Sequence, residues 1–189
     1  MAHSDTNWVY YILKDLRELK IREATVEDTT ALLEYIETVS GESDNLTFGS
    51  GEFGLTFEEE EDYLRNIRSV ENAIYLLGFI DEQLVSALSF TCENRERTKH
   101  VGEFGITVKK DFWGLGIGEG MLLTLIEWAK ISGVVYKINL TVRADNKRGI
   151  RLYEKMGFKY EGTRTRDLRI NGVFYDGVVM GMDIDPVEV

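Results

Sequence analysis

The sequence predicts an α/β fold of the α+β kind, with a mixed, mostly antiparallel central sheet flanked by helices. Two observations carry that expectation. Strand-like stretches come in adjacent pairs joined by strong turn residues, at Asp81-Glu82-Gln83 and at Asn171-Gly172, and such pairs fold as antiparallel hairpins. A single strand–helix–strand stretch, residues 101–142, needs one parallel crossover. The chain has one proline, Pro186, and no low-complexity linker or internal repeat, so residues 1–189 read as a single domain.

Taken in order, residues 8–13 are aromatic and β-branched and predict a strand, with residues 1–18 forming an N-terminal extension. Residues 19–23 form the returning strand. Thr25 and Asp28 have capping spacing before a helix whose apolar positions are Leu32, Leu33, Ile36 and Val39. Residues 40–56 are rich in Gly, Ser, Asn and Asp and predict a long loop, a length that is usually functional or mobile. Thr56 or Phe57 starts a second helix, with Glu58, Glu59, Glu60, Glu61 and Asp62 in its first turns. Acid there suits the positive helix end, which alone explains most of the run. Strands follow at 74–80, 84–90 and 101–108. Residues 118–132 are amphipathic, with Met121, Leu122, Leu125, Ile126 and Ala129 on one face and Gly133 as the stop. Residues 136–142 alternate apolar and polar. A helix over 146–156 ends at Gly157, and strands at 158–165 and 173–184 complete the order β-β-α-α-β-β-β-α-β-α-β-β.

Composition narrows the chemistry. The net charge of −11 argues against nucleic acid, whose phosphates are bound by Lys and Arg, and permits a cationic partner. Solubility alone would also account for that charge. No apolar run approaches the ~20 residues of a membrane span, the first residues lack the order of a signal peptide, and Cys92 is the only cysteine; a cytoplasmic protein is expected. His3 and His100 are the only histidines, and no CxxC or HExxH spacing occurs, so no metal site is expected. Oligomeric state is not legible, and a homodimer remains open.

Three alternate glycines, Gly114, Gly116 and Gly118, stand between a strand and a helix. Glycine lets backbone N–H groups converge on one point, and a helix start adds unpaired donors and a positive dipole end, the ingredients of a pyrophosphate cradle. No Gly-Lys pair exists for a Walker loop, and the dinucleotide fingerprint fails, with Glu119 or Met121 where its last glycine belongs. A tight turn that binds nothing is the competing reading of the glycines alone.

The string Trp113-Gly114-Leu115-Gly116-Ile117-Gly118 resembles the acyl-CoA loop of the GNAT superfamily of N-acetyltransferases, with Trp113 where that pattern has Gln or Arg, a variant familiar in the branch that acetylates ribosomal-protein N-termini and spermidine. About 30 residues on, the segment from Asn146 through Gly149, Leu152, Tyr153 and Gly157 to Phe158 resembles the superfamily's Asn-x-x-Ala/Gly-x-x-Leu/Phe-Tyr-x-x-x-Gly-Phe motif. The resemblance spans residues 20–184. It implies acetyl-CoA as co-substrate, held by Trp113, Gly114, Leu115, Gly116, Ile117, Gly118 and Asn146, and Tyr153 as the acid for the leaving thiolate. Helical spacing agrees, since Asn146 and Tyr153 share a face, with Gly149 between them leaving room for the pantetheine arm. The resemblance also implies an oxyanion donor among the main-chain N–H groups of Ile106, Thr107 and Val108, on a strand that splays from its neighbour.

For the base, alternation puts Glu103, Gly105 and Thr107 on one strand face, and a carboxylate there is costly unless solvated or used. Many members of the superfamily carry a glutamate at the matching place. Asp111 and Glu119 are lesser candidates. The expected acceptor is a primary amine on a small cationic molecule or a peptide N-terminus, bound with help from residues 41–62. The alternative is a non-catalytic acyl-CoA sensor or interaction module on the same fold.

Overall fold

The computed structural model describes residues 7–187, so His3 lies outside the described part. Eight strands form one sheet: β1 (Val9–Ile12), β2 (Glu18–Glu23), β3 (Ala73–Ile80), β4 (Gln83–Cys92), β5 (Val101–Val108), β6 (Lys137–Arg143), β7 (Lys159–Ile170) and β8 (Val173–Asp183). Their spatial order is β1-β2-β3-β4-β5-β6-β8-β7, and only β5 and β6 run parallel. Four α-helices accompany them: α1 (Thr29–Ser40), α2 (Phe57–Ile67), α3 (Ile117–Ser132) and α4 (Lys147–Met156). Element order and type match the sequence reading throughout.

The turns explain why. Asp81 and Glu82 take φ of 48° and 65°, and Asn171 and Gly172 take 49° and 83°, so both hairpins turn through two left-handed residues, the geometry that matches strand twist. Differences lie at element ends. Thr25 starts a 3-10 turn, Val26–Asp28, ahead of α1, because the Asp28 carboxylate accepts the Thr25 N–H at 2.8 Å and is clamped by two Arg22 nitrogens at 2.6 Å. Tyr136 lies outside β6, with its N–H held by the His100 carbonyl at 2.9 Å. β7 runs past residue 165 to Ile170 because a register shift near Arg166, itself at φ 56°, lets it rejoin β8.

Two apolar layers sandwich the sheet. Ile74, Leu76, Leu88 and Phe104 pack with Met121, Leu122, Leu125, Ile126 and Ala129 of α3. Tyr75, Leu77 and Ala87 pack on the opposite face with Leu32, Tyr35 and Ile36 of α1 and Leu64 and Ile67 of α2. Each fully buried aliphatic side chain contributes about 1.5–3 kcal/mol, so these layers fix β3, β4 and β5 as the rigid centre. No helix among the described residues is long and apolar enough to cross a membrane.

Candidate active site

The sheet opens at its centre. β5 pairs with β6 only at Val101↔Lys137, Gly102↔Ile138 and Glu103↔Asn139, while β4 follows β5 to Val108 and β8 follows β6 to Arg143. Past Glu103 the two halves therefore part. Lys109 N–H donates to the Val85 carbonyl at 2.9 Å, and alternation along β5 then directs the amides of Phe104, Ile106 and Val108 toward the gap. Thr107 differs from the expectation: its amide faces β4, its carbonyl accepts Ser86 Oγ at 2.7 Å, and its hydroxyl pairs with Tyr35 at 2.8 Å. Of the three strand residues expected to supply an oxyanion donor, Ile106 and Val108 have the required direction.

A cleft of about 1550 Å³ runs through this gap and past the glycine loop. Single small-ligand clefts hold roughly 300–1,000 Å³, so there is room for two reactants. Gly114 and Gly116 have φ of 91° and 103°, values that L side chains rarely adopt, and a Cβ at Gly116 would point into open space. Lys14 N–H donates to the Leu115 carbonyl at 3.1 Å. In a trans peptide the next N–H points the opposite way, so this bond turns the Gly116 amide away from the Lys14 backbone. Ile117 begins α3, whose first N–H groups have no partner within the helix. Trp113 serves the loop through its side chain, with Nε1 donating to the Val108 carbonyl at 2.7 Å and Arg148 lying over its ring at 5.4 Å. Lys14, Arg148, Arg151 and Lys155 line the cleft around the loop, a basic rim that the glycine pattern alone did not reveal.

Asn146 caps α4, its Oδ1 accepting the Gly149 N–H at 3.0 Å. A Cβ at Gly149 would come within 2.9 Å of Asn146 Nδ2. The Cβ position at Gly149 is thus filled by the cap, while Gly149 itself lines the cleft beside Asn146. Gly118 has a structural role as well, since a Cβ would meet Leu152 at 3.0 Å where α3 and α4 cross. Tyr153 lines the cleft with its ring edge-on to Phe104 and Phe158, and burial pushes its phenol up to about 12. It stays neutral at physiological pH and can give a proton.

Glu103 lies on the opposite face of β5, at the last rung before the strands part, and accepts Thr141 Oγ1 at 3.1 Å. Above Gly105, two residues on, a Cβ would meet nothing. The gap therefore joins Tyr153 on the α3–α4 side to Glu103 on the α1–α2 side. Of the lesser candidates, Glu119 is held by Lys155 at 2.7 Å, and Asp111 sits in a short turn and does not itself line the cleft. Cys92 also lies off the cleft, its thiol raised to about 11 by burial. His100 packs on Tyr136 away from the cleft, and no cluster of three or more metal-ligating side chains occurs among the described residues.

Residues 42–50, 52, 53, 55 and 60 line the cleft, and two acids of this segment are already occupied. Glu42 accepts the Lys110 N–H at 2.7 Å, and Glu52 accepts the Gly49 N–H at 2.7 Å. Glu60, which the sequence groups with the acids of the helix end, is a fully buried cleft residue with neither carboxylate oxygen bonded. A sequence signal existed, because Glu60, Leu64 and Ile67 share one helical stripe and the last two are buried.

Residues 42–158 match the sequence profile of the acetyltransferase (GNAT) family. The chain is 33% identical over 105 residues to the L-amino acid N-acetyltransferase AaaT of Escherichia coli, covering 56% of this chain and 65% of that protein, just under two thirds of its length. It is 27% identical over 78 residues to the spermidine N(1)-acetyltransferase of the same organism, covering 41% of this chain and 42% of that one. A crystal structure of a GNAT-family acetyltransferase from Streptococcus pneumoniae superposes with a TM-score of 0.86 at 35% identity, covering 88% of this chain and 99% of that chain. With a matched profile over most of its length, a mixed sheet of the same fold and both motifs on the cleft, the chain belongs to the GNAT family of acyl-CoA-dependent acetyltransferases, for which acetyl-CoA is the co-substrate.

Proposed function

We propose that this protein transfers an acetyl group from acetyl-CoA to a primary amine of a small cationic molecule or a peptide N-terminus, by direct attack within the gap between β5 and β6. The observation that carries the reading is the gap itself. It aligns free strand amides with the glycine loop on one side and with a carboxylate-lined chamber on the other. The pyrophosphate lies on the amides of residues 114–118 at the start of α3, with the basic rim facing its charge. Asn146 borders the arm at the start of α4, and the thioester carbonyl sits between the strands with the Ile106 and Val108 amides as donors.

The acceptor enters from the Glu103 face. Its ammonium gives a proton to Glu103, directly or through water, and the free amine attacks the carbonyl carbon. The C–N bond forms, charge on the oxygen meets the strand amides, and the C–S bond breaks toward the Tyr153 face. The thiolate takes the phenol proton, and the proton released by the attacking nitrogen restores Tyr153 through solvent. Burial that raises the phenol also raises the proton affinity of a thiolate formed beside it, which keeps this transfer accessible. The absence of a cysteine from the cleft supports direct transfer over an acyl-enzyme. The names of the two Escherichia coli relatives, an amino acid and a spermidine acetyltransferase, fit an amine acceptor.

Adding acetyl-CoA and a panel of amines should release free CoA thiol, fastest with cationic amines. Tight acetyl-CoA binding without thiol release across amino acids, polyamines and peptides would favour a sensor instead.

A further inference from the structure

Four consecutive glutamates open α2, and three have visible work or free solvent. Glu58 is exposed. Glu59 closes the capping box, accepting the Thr56 N–H at 2.8 Å. Glu61 pairs with Arg65 at 2.7 Å. Glu60 has neither solvent nor partner. Its exposure is 0%, and its two oxygens, with one of Asn139, are the buried side-chain polar atoms left unbonded among the described residues. Burial raises its carboxyl, and its charge reaches Tyr63 and Tyr75.

Two hydroxyls near it are committed elsewhere, and the Tyr75 hydroxyl, although close, does not bond it. Tyr63 bonds Ser89 at 2.9 Å and Tyr35 bonds Thr107 at 2.8 Å. Among the cations of the cleft, Arg143 is paired with Asp145 at 2.6 Å and Arg164 donates to Thr141 at 3.3 Å, beside Glu103. A buried carboxyl without a partner costs the free protein stability, and an isosteric amide or an apolar side chain would cost less. The position lies inside the cleft, on the same side of the sheet as Glu103. Across the aligned residues Tyr75, Ser89 and Gly105, the two carboxylates stand over strands about two spacings, roughly 10 Å, apart. Aromatic rings of Tyr63 and Tyr75, edge-to-face at 6.1 Å, stand near Glu60 and suit a cation.

We infer that Glu60 anchors a second positively charged nitrogen of the acceptor, distinct from the nitrogen acetylated near Glu103, so that the preferred acceptors are amines carrying two cationic centres. This rests on the acetyl-transfer reading of the same cleft and adds a substrate class to it. The anchor is a specificity-determining contact; the acetylated amine still gives up its proton at Glu103.

The test compares linear α,ω-diamines of three to eight carbons with n-alkylamines of matching length, with thiol release as readout. In wild type, at least one diamine should show a KM about tenfold or more below its monoamine, the worth of one charge-assisted contact. In Glu60→Gln and in Glu60→Leu that difference should vanish, the diamine KM rising to the monoamine value; a merely structural role would move both values together. The same diamines, added with CoA so that no turnover occurs, should raise the Tm of wild type and leave that of Glu60→Gln in place. No thiol release from any amine, together with this diamine-dependent Tm shift, would overturn acetyl transfer and leave the anchor standing. Turnover without a diamine preference, or a preference that Glu60→Gln retains, would overturn the anchor.

Discussion

The two walls of the cleft are built from different material. On the α3–α4 wall the polar groups offered to the cleft are backbone: Gly114 and Gly116 in left-handed conformations, the unpaired amides at the start of α3, and the β5 amides freed by the departure of β6. On the α1–α2 wall they are side chains: Glu103, Glu60, Tyr63 and the loop before α2. The first wall is rimmed by Lys14, Arg148, Arg151 and Lys155, the last paired with Glu119, whereas the second mixes Glu42, Asp44, Glu52, Glu60 and Glu103 with Arg143, Arg164 and Arg169. A backbone-built site ties its function to a few residue types that no other residue can replace. A site built from side chains can change partner by single substitutions while the fold stays the same, which suits a family whose relatives differ in acceptor.

That contrast sets the order of expected effects. On the backbone wall, Gly116→Val places a β-branched residue at φ 103° and a Cβ in the space assigned to the cofactor. Strain of this kind costs about 1–3 kcal/mol, and acetyl-CoA binding should be lost by calorimetry. Binding as tight as wild type would remove the cofactor from this loop. At the gap, Tyr153→Phe should lower kcat by about 10²–10⁴-fold with little change in acetyl-CoA affinity, because only the hydroxyl is removed and the ring still packs on Phe104 and Phe158. An unchanged kcat across the pH range would exclude Tyr153 from the chemistry.

On the side-chain wall the effects are smaller. Glu103→Gln should depress kcat/KM most at low pH, where the acceptor is most fully protonated; a pH–rate profile that overlays wild type would place the base elsewhere. The smallest effect is on stability. Burial raises the Glu60 carboxyl above its ordinary value of 4.5, so the folded protein binds that proton more tightly than the unfolded chain does. Stability from this group is therefore present below 4.5 and declines as pH rises toward the folded value. Glu60→Gln should melt higher than wild type at pH 8, by roughly 2–4 °C for each kcal/mol relieved, and the difference should shrink at pH 5. A variant that melts lower at pH 8 would mean that Glu60 has a stabilising partner.

The glycine loop was the part of the backbone wall legible in the sequence: the glycines alone left a plain turn open, and their resemblance to the GNAT loop together with the motif from Asn146 to Gly157-Phe158 settled on a cofactor loop. The hairpins at Asp81-Glu82 and Asn171-Gly172 were legible likewise, because left-handed turns admit few residues. The extent of the β5–β6 gap was not, since where two strands stop pairing depends on the twist of the whole sheet. Nor was the use of Gly149, whose missing side chain makes room for the Asn146 cap; spacing shows that two residues share a face and not which of them fills it. The acidic run that opens α2 hid its one exceptional member because Glu58, Glu59, Glu60 and Glu61 are the same residue, and burial separates them.

In the proposed reading the thioester lies in the gap, with the cofactor on one face of the sheet and the acceptor on the other. A crystal structure with bound acetyl-CoA should show the pyrophosphate within hydrogen-bond reach of the amides of residues 114–118, the acetyl carbonyl between β5 and β6 at the Ile106 and Val108 amides, and the sulfur toward Tyr153. An acetyl group lying on the α1–α2 face away from the gap, or a gap closed by continued β5–β6 pairing, would contradict it.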